Sequence, residues 1–142
     1  MTFEFIDDIT LADIAFRAWG PTLEEVFQAA ARATMQVMVE DLESIRRWVV
    51  RQVEQEAESA EMLLFDFLQE IIFFKDAESL LLLPEEIHLQ GERAMRLDAR
   101  LSGEEVDIHR HQPRVDVKAV TMHCFALRRK GEGWEAEVVL DV

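Results

Sequence analysis

Strict alternation of apolar and polar positions is clearest in the last stretch of the chain. Over residues 134–142, Trp134, Ala136, Val138, Leu140 and Val142 fall on one face, and Glu135, Glu137, Val139 and Asp141 on the other. Period two at this length predicts a strand with one buried face. Ala12–Trp19 repeats the pattern, with Ile14, Phe16 and Ala18 on one side. So does Ala94–Leu101, where Met95, Leu97, Ala99 and Leu101 alternate with Arg96, Asp98 and Arg100. Phe3–Ile6, Ile45–Ala57, Ser79–Leu83, Ile87–Gln90 and Val117–Arg129 complete the predicted strands, although the Gln- and Glu-rich second half of Ile45–Ala57 also suits a helix. Gly91-Glu92 and Lys130–Gly133 are predicted to be hairpin turns.

Two segments carry the helical period instead. Thr22 with Glu25 forms a capping box, and Leu23, Val26, Phe27, Ala30, Thr34, Val37 and Met38 follow at spacings of three and four, predicting a helix to about Val39. Ser59 caps a second helix, Ala60–Lys75. It is apolar nearly all round, which predicts a central helix covered on more than one side. Strands and helices do not alternate strictly. The expected fold class is α+β: a largely antiparallel sheet, or two, packed with two main helices in one compact domain over 1–142.

Composition narrows the function classes. Of the 142 residues, 49% are apolar, so the chain is globular. It lacks a run of eighteen apolar residues and a basic N-terminal segment before an apolar stretch. This leads to an expectation of a protein that neither spans a membrane nor is secreted. The single cysteine, Cys124, leaves no internal disulfide and fits a cytoplasmic protein; in its apolar strand pattern it is expected to be a buried, inert thiol. Twenty-nine acids against fifteen bases give a net charge of −14, which opposes direct nucleic-acid binding and favours cations or a basic protein partner.

Candidate chemistry is sparse. His109 and His111 form an H-x-H in a predicted polar loop, Ser102–Arg114, near Asp107 and Asp116. A zinc site would need further ligands from elsewhere, and two surface histidines is the plainer meaning. Lys118 and His123 interrupt an apolar strand; a strand lysine ordinarily marks the solvent side of a half-buried sheet. No phosphate loop, nucleophile elbow or H-E-x-x-H is present. One constellation remains. If the strand that begins near Asp13 neighbours the last strand, then Asp13, Asp141 and the Val142 carboxylate converge. Together they form an oxygen-only set suited to calcium or magnesium. A solvated chain end is the alternative.

Several blocks, in order and spacing, resemble the archease family. They are Ala12–Gly20 (the family's A-D-I-x-x-x-A-x-G), Thr22–Phe27, Leu63–Glu70, Phe74–Glu78, Val117–His123, Gly133-Trp134 and Leu140–Val142. The resemblance covers nearly the whole chain. One departure stands out: where the family reads D-H-T-A-D, this chain reads Asp8-Ile-Thr-Leu-Ala-Asp13, with no histidine and one extra residue. Asp13 stays in register, and the equivalence of Asp8 is open. The resemblance implies a protein cofactor rather than an enzyme, one that promotes guanylylation and repeated turnover of an RtcB-type tRNA-splicing and RNA-repair ligase. It implies a divalent metal held by Asp13, Asp141 and Val142, with calcium first and magnesium or manganese as alternatives. It also points to Lys118 as a residue needed for activating the partner. The competing readings are a metal-dependent hydrolase using Asp13, Asp141 and the His109/His111 loop, and a chaperone-like binding module with a structural metal.

Overall fold

The structure, a computed structural model, describes residues 2–6, 13–92 and 94–142. Seven strands form two antiparallel sheets. One has the order β1 (Thr2–Ile6), β2 (Asp13–Gly20), β7 (Gly133–Asp141), β6 (Ala119–Lys130); the other has the order β3 (Val49–Ala57), β5 (Met95–Glu105), β4 (Leu80–Gln90). Helix α1 (Leu23–Met38) packs on β1, β2 and β7 of the first sheet and on β4 of the second. Helix α2 (Ala60–Glu78) packs on β6 and on all three strands of the second. The helices thus tie the two sheets together, as the α+β reading expects. None of the described helices is long and apolar enough to cross a membrane.

Local chemistry accounts for the boundaries. Thr22 and Ser59 accept hydrogen bonds from the N–H groups of Glu25 and Met62, satisfying otherwise unpaired donors at each helix start. Ser79, with a φ of 56°, ends α2 three residues beyond the predicted Lys75. Phe16, Phe27, Phe67, Leu97 and Leu101 are among the fully buried side chains joining sheets and helices. The all-round burial expected of α2 is not complete. Leu63, Leu64, Phe67, Leu68, Ile71, Ile72 and Phe74 are buried, but Met62 and Phe73 face water.

Three strand expectations change. The predicted break at Pro84 is a bulge within one long strand, β4. Pro84 is tolerated because β4 is an edge strand and needs no second ladder there. The strand over Ile45–Ala57 starts only at Val49, because the Arg46 N–H turns away to the Glu104 carboxylate. Strand β5 runs on through Ser102–Glu105, residues expected in a polar loop. Gly103 makes that extension possible: a Cβ there would lie 1.7 Å from the Leu81 carbonyl oxygen. On the exposed edge of β6, Gln69 and Glu61 of α2 accept from the Val120 and Leu127 N–H groups, at 2.9 and 3.2 Å.

Candidate metal centre at the end of the four-stranded sheet

Asp13 opens β2, Asp141 closes β7, and the antiparallel register sets them directly opposite one another. Side chains of directly opposed residues lie on one face with Cβ atoms about 4.5–5.5 Å apart, and like charges so placed repel. The next residue, Val142, packs partly against the core. On the other side of β7, Ala119 of β6 pairs with Asp141, and the Lys118 N–H donates to the Asp141 carbonyl at 2.8 Å. The juxtaposition of Asp13 and Asp141 is thus a consequence of the register that buries Phe16, Val138 and Leu140. Among the described residues no three His, Cys, Asp or Glu side chains gather as a metal site. The main-chain carboxylate of Val142 is the third oxygen ligand that the sequence resemblance implies at this end. Asp8 lies outside the described residues. An oxygen-only donor set of this kind fits a hard divalent cation.

The approach to β6 is a strap held from three sides. Arg114 donates its N–H to the Met38 carbonyl at 2.8 Å, and Pro113 bridges Val39. The largely buried Lys75 ammonium donates to the Val117 carbonyl at 2.8 Å and pairs with Asp76 and Asp116. Burial acts most strongly on Lys75 and disfavours its charge, yet its bonds with Asp116 and Asp76 raise it above the ordinary lysine value. Lys118 ends this strap, exposed beside the Asp13–Asp141 end.

Of the two histidines expected at the surface, His109 is there and His111 is not. Asp107 caps α3, the single turn Ile108–His111, and within it His109 is exposed while His111 is buried. His111 Nδ1 accepts from the Asp107 N–H at 2.8 Å, and Nε2 lies 3.0 Å from Glu104 Oε2. Both ring nitrogens are therefore occupied, with the proton on Nε2, and no chelating pair remains. Glu104 also accepts from Arg110 and, at 2.6 Å, from the Arg46 N–H. Burial is the largest influence on Glu104 and pushes it up. The bonds from Arg110, Arg46 and His111 together outweigh it and hold the carboxyl down at about 2. Glu104→Gln is expected to cost about 2–3 kcal/mol, because it leaves a partly buried guanidinium without its counter-charge. The folded value lies below the ordinary 4.5, so this contribution is complete above about pH 4.5 and fades as the pH falls toward 2. Denaturant melts of both proteins from pH 7 to 3 would show the gap closing on acidification. A gap independent of pH would refute this account.

Two other expectations fail for reasons of geometry. Cys124 is exposed, not buried, because β6 breaks its pairing with β7 between Thr121 and Ala126 and Cys124 takes a φ of 56°. His123 is exposed on the same irregularity. Glu135, on the nominally solvent side of β7, is buried instead, with Lys130, Arg17 and Arg128 at 3.0, 3.4 and 3.5 Å. Burial raises its carboxyl most, but the cations, led by Lys130, bring it below the usual value.

Two antiparallel sheets tied by a helix pair, with paired carboxylates where the outermost rung of one sheet meets the chain end, define a small α+β protein with a candidate cation site. A family model for the archease protein family matches residues 3–142. An archease from Pyrococcus abyssi is 36% identical over 133 residues, covering 92% of this chain and 93% of that protein. One from Methanothermobacter thermautotrophicus is 35% identical over 141 residues, covering 99% and 98%. The solution structure of Methanobacterium thermoautotrophicum protein 1598 superposes with a TM-score of 0.83 at 35% identity, covering 99% and 98%. A Thermotoga maritima crystal structure, described as an archease and possible chaperone, shares the fold with a TM-score of 0.58 at 20% identity, covering 98% of each chain. The chain belongs to the archease family.

Proposed function

We propose that this protein is a cytoplasmic, non-catalytic cofactor of an RtcB-type RNA ligase, promoting guanylylation of the ligase and its repeated turnover. Family membership along residues 3–142 supports the reading. The observation on which the site rests is the Asp13–Asp141 register. Asp13, Asp141 and the Val142 carboxylate would hold a divalent ion, calcium first, with magnesium or manganese as alternatives. When bound, the ion supplies positive charge that neutralises the carboxylates and fixes the end of β7. Lys118, at the neighbouring rung, would contact a phosphate or carboxylate of the ligase. The hydrolase alternative loses one of its two histidines, since His111 is buried and fully engaged.

The deciding experiment mixes the purified protein with its host's ligase, GTP and manganese and measures the ligase–GMP adduct. A gain supports the cofactor reading, and phosphoester turnover by this protein alone would replace it with the hydrolase. A net charge of −14 further predicts that the protein meets the basic, RNA-holding side of the ligase, associates faster at low salt, and binds no RNA itself. A gel shift of tRNA by this protein alone would contradict that.

A further inference from the structure

Three surface hollows run into one another away from the Asp13–Asp141 end. The first, about 720 Å³, is lined by Arg46, Trp48, Val106 and Ile108 among others. The second, about 500 Å³, shares Val106 and Ile108 and adds Met38, Leu81 and Val115. The third, about 120 Å³, shares Val115 and reaches Phe5 and Ile14, the residue next to Asp13. Nine large apolar side chains are exposed among the described residues, and five of them (Phe5, Trp48, Val106, Ile108 and Val115) line these hollows. Contiguous exposed apolar surface marks interaction sites, and tryptophan and arginine are the side chains that anchor them. Trp48 and Ile108 are each 71% exposed, and the Arg46 guanidinium lies 4.7 Å above the Trp48 ring.

Charge selects the occupant. The two larger hollows are lined by five carboxylates and three cations. Arg110 pairs with Glu104 and Lys75 with Asp76 and Asp116, so three of those carboxylates are engaged as well. With Arg114 at the third hollow the strip carries five carboxylates against four cations, on a chain whose net charge is −14, so its surplus is negative.

We infer that this strip is where the protein docks on its partner ligase, receiving an apolar segment flanked by lysine or arginine; the inference rests on the cofactor reading above. Because the strip ends at Ile14, a segment seated along it brings the Asp13–Asp141 end and Lys118 onto the partner. The strip supplies affinity and orientation, and the end of the sheet supplies the activating contacts.

The test titrates wild type and the Trp48→Glu/Ile108→Glu double variant into the host's ligase with GTP and manganese, following the ligase–GMP adduct. The concentration for half-maximal stimulation is expected to rise about tenfold or more, with the plateau at saturation retained. The milder pair Trp48→Gln/Ile108→Ser is expected to shift it in the same direction. Both side chains are exposed, so the variant's melting temperature should match wild type. A half-maximal concentration within about twofold of wild type overturns the docking strip and leaves the cofactor reading standing. No stimulation by wild type overturns both. Sedimentation showing a wild-type dimer that the double variant abolishes would assign the strip to self-association and overturn the proposal.

Discussion

Calcium is expected to raise the melting temperature of the wild-type chain, and a Gly-Ser tail appended after Val142 is expected to abolish that rise. Asp13 and Asp141 oppose one another in register, and the Val142 carboxylate is one residue away. Unit charges about 4 Å apart near a protein surface repel by roughly 4 kcal/mol, so three carboxylates meeting there would be costly without a cation. A divalent ion replaces that repulsion with coordination, at about 2.3–2.6 Å for calcium. Binding the folded form alone, it stabilises by about 2.7 kcal/mol at a hundredfold excess over its dissociation constant. For a chain of this size that is roughly 8–10 °C in melting temperature. The tail leaves every side chain unchanged but converts the Val142 carboxylate to a peptide carbonyl and moves the charge away. Asp141→Ala should remove the same increment. Melts in EDTA and in calcium, magnesium or manganese would decide it. A tailed protein that still responds fully would return the chain end to ordinary solvation.

Lys118→Ala is expected to fold like wild type yet lose most of its ability to stimulate ligase guanylylation, on the order of tenfold or more. The fold uses the backbone of Lys118, whose N–H donates to the Asp141 carbonyl at 2.8 Å, and the alanine variant keeps that bond. The exposed ammonium is left for the partner. Lys118→Arg keeps the charge but not the compact shape of an ammonium, so it separates a need for positive charge from a need for lysine itself. Equal stimulation by wild type and Lys118→Ala would reduce Lys118 to a solvent-facing residue.

Local patterns were readable in the sequence where one signal dominated. The alternation of β7 and the Thr22 and Ser59 caps stand in the structure; of the Thr22–Glu25 capping box, the bond from the Glu25 N–H to the Thr22 hydroxyl forms. The candidate site was readable only conditionally, because no local pattern states that β2 pairs with β7; the register supplies that. Glu104, and the burial of His111, escaped notice because β5 loses its apolar alternation after Leu101, and the polar residues beyond it are buried by one another rather than by a hydrophobic face. Cys124 misled because apolar neighbours imply an inward face, whereas a positive φ turns the chain out of its ladder. Glu135 looked solvent-facing because its alternation is correct; three basic side chains, one from β2 and two from β6, fold over it.

The outer edge of β6 is shielded less by structure than by side chains borrowed from α2. Gln69 and Glu61 occupy the N–H groups of Val120 and Leu127, so another strand arriving there would have to displace them. The second barrier is colloidal: at −14, two copies repel before their edges meet. The second of these rests on carboxylates, so acidification weakens it. Loss of solubility on lowering the pH would then be a matter of sheets joining edge to edge, with the folded core of each molecule still intact.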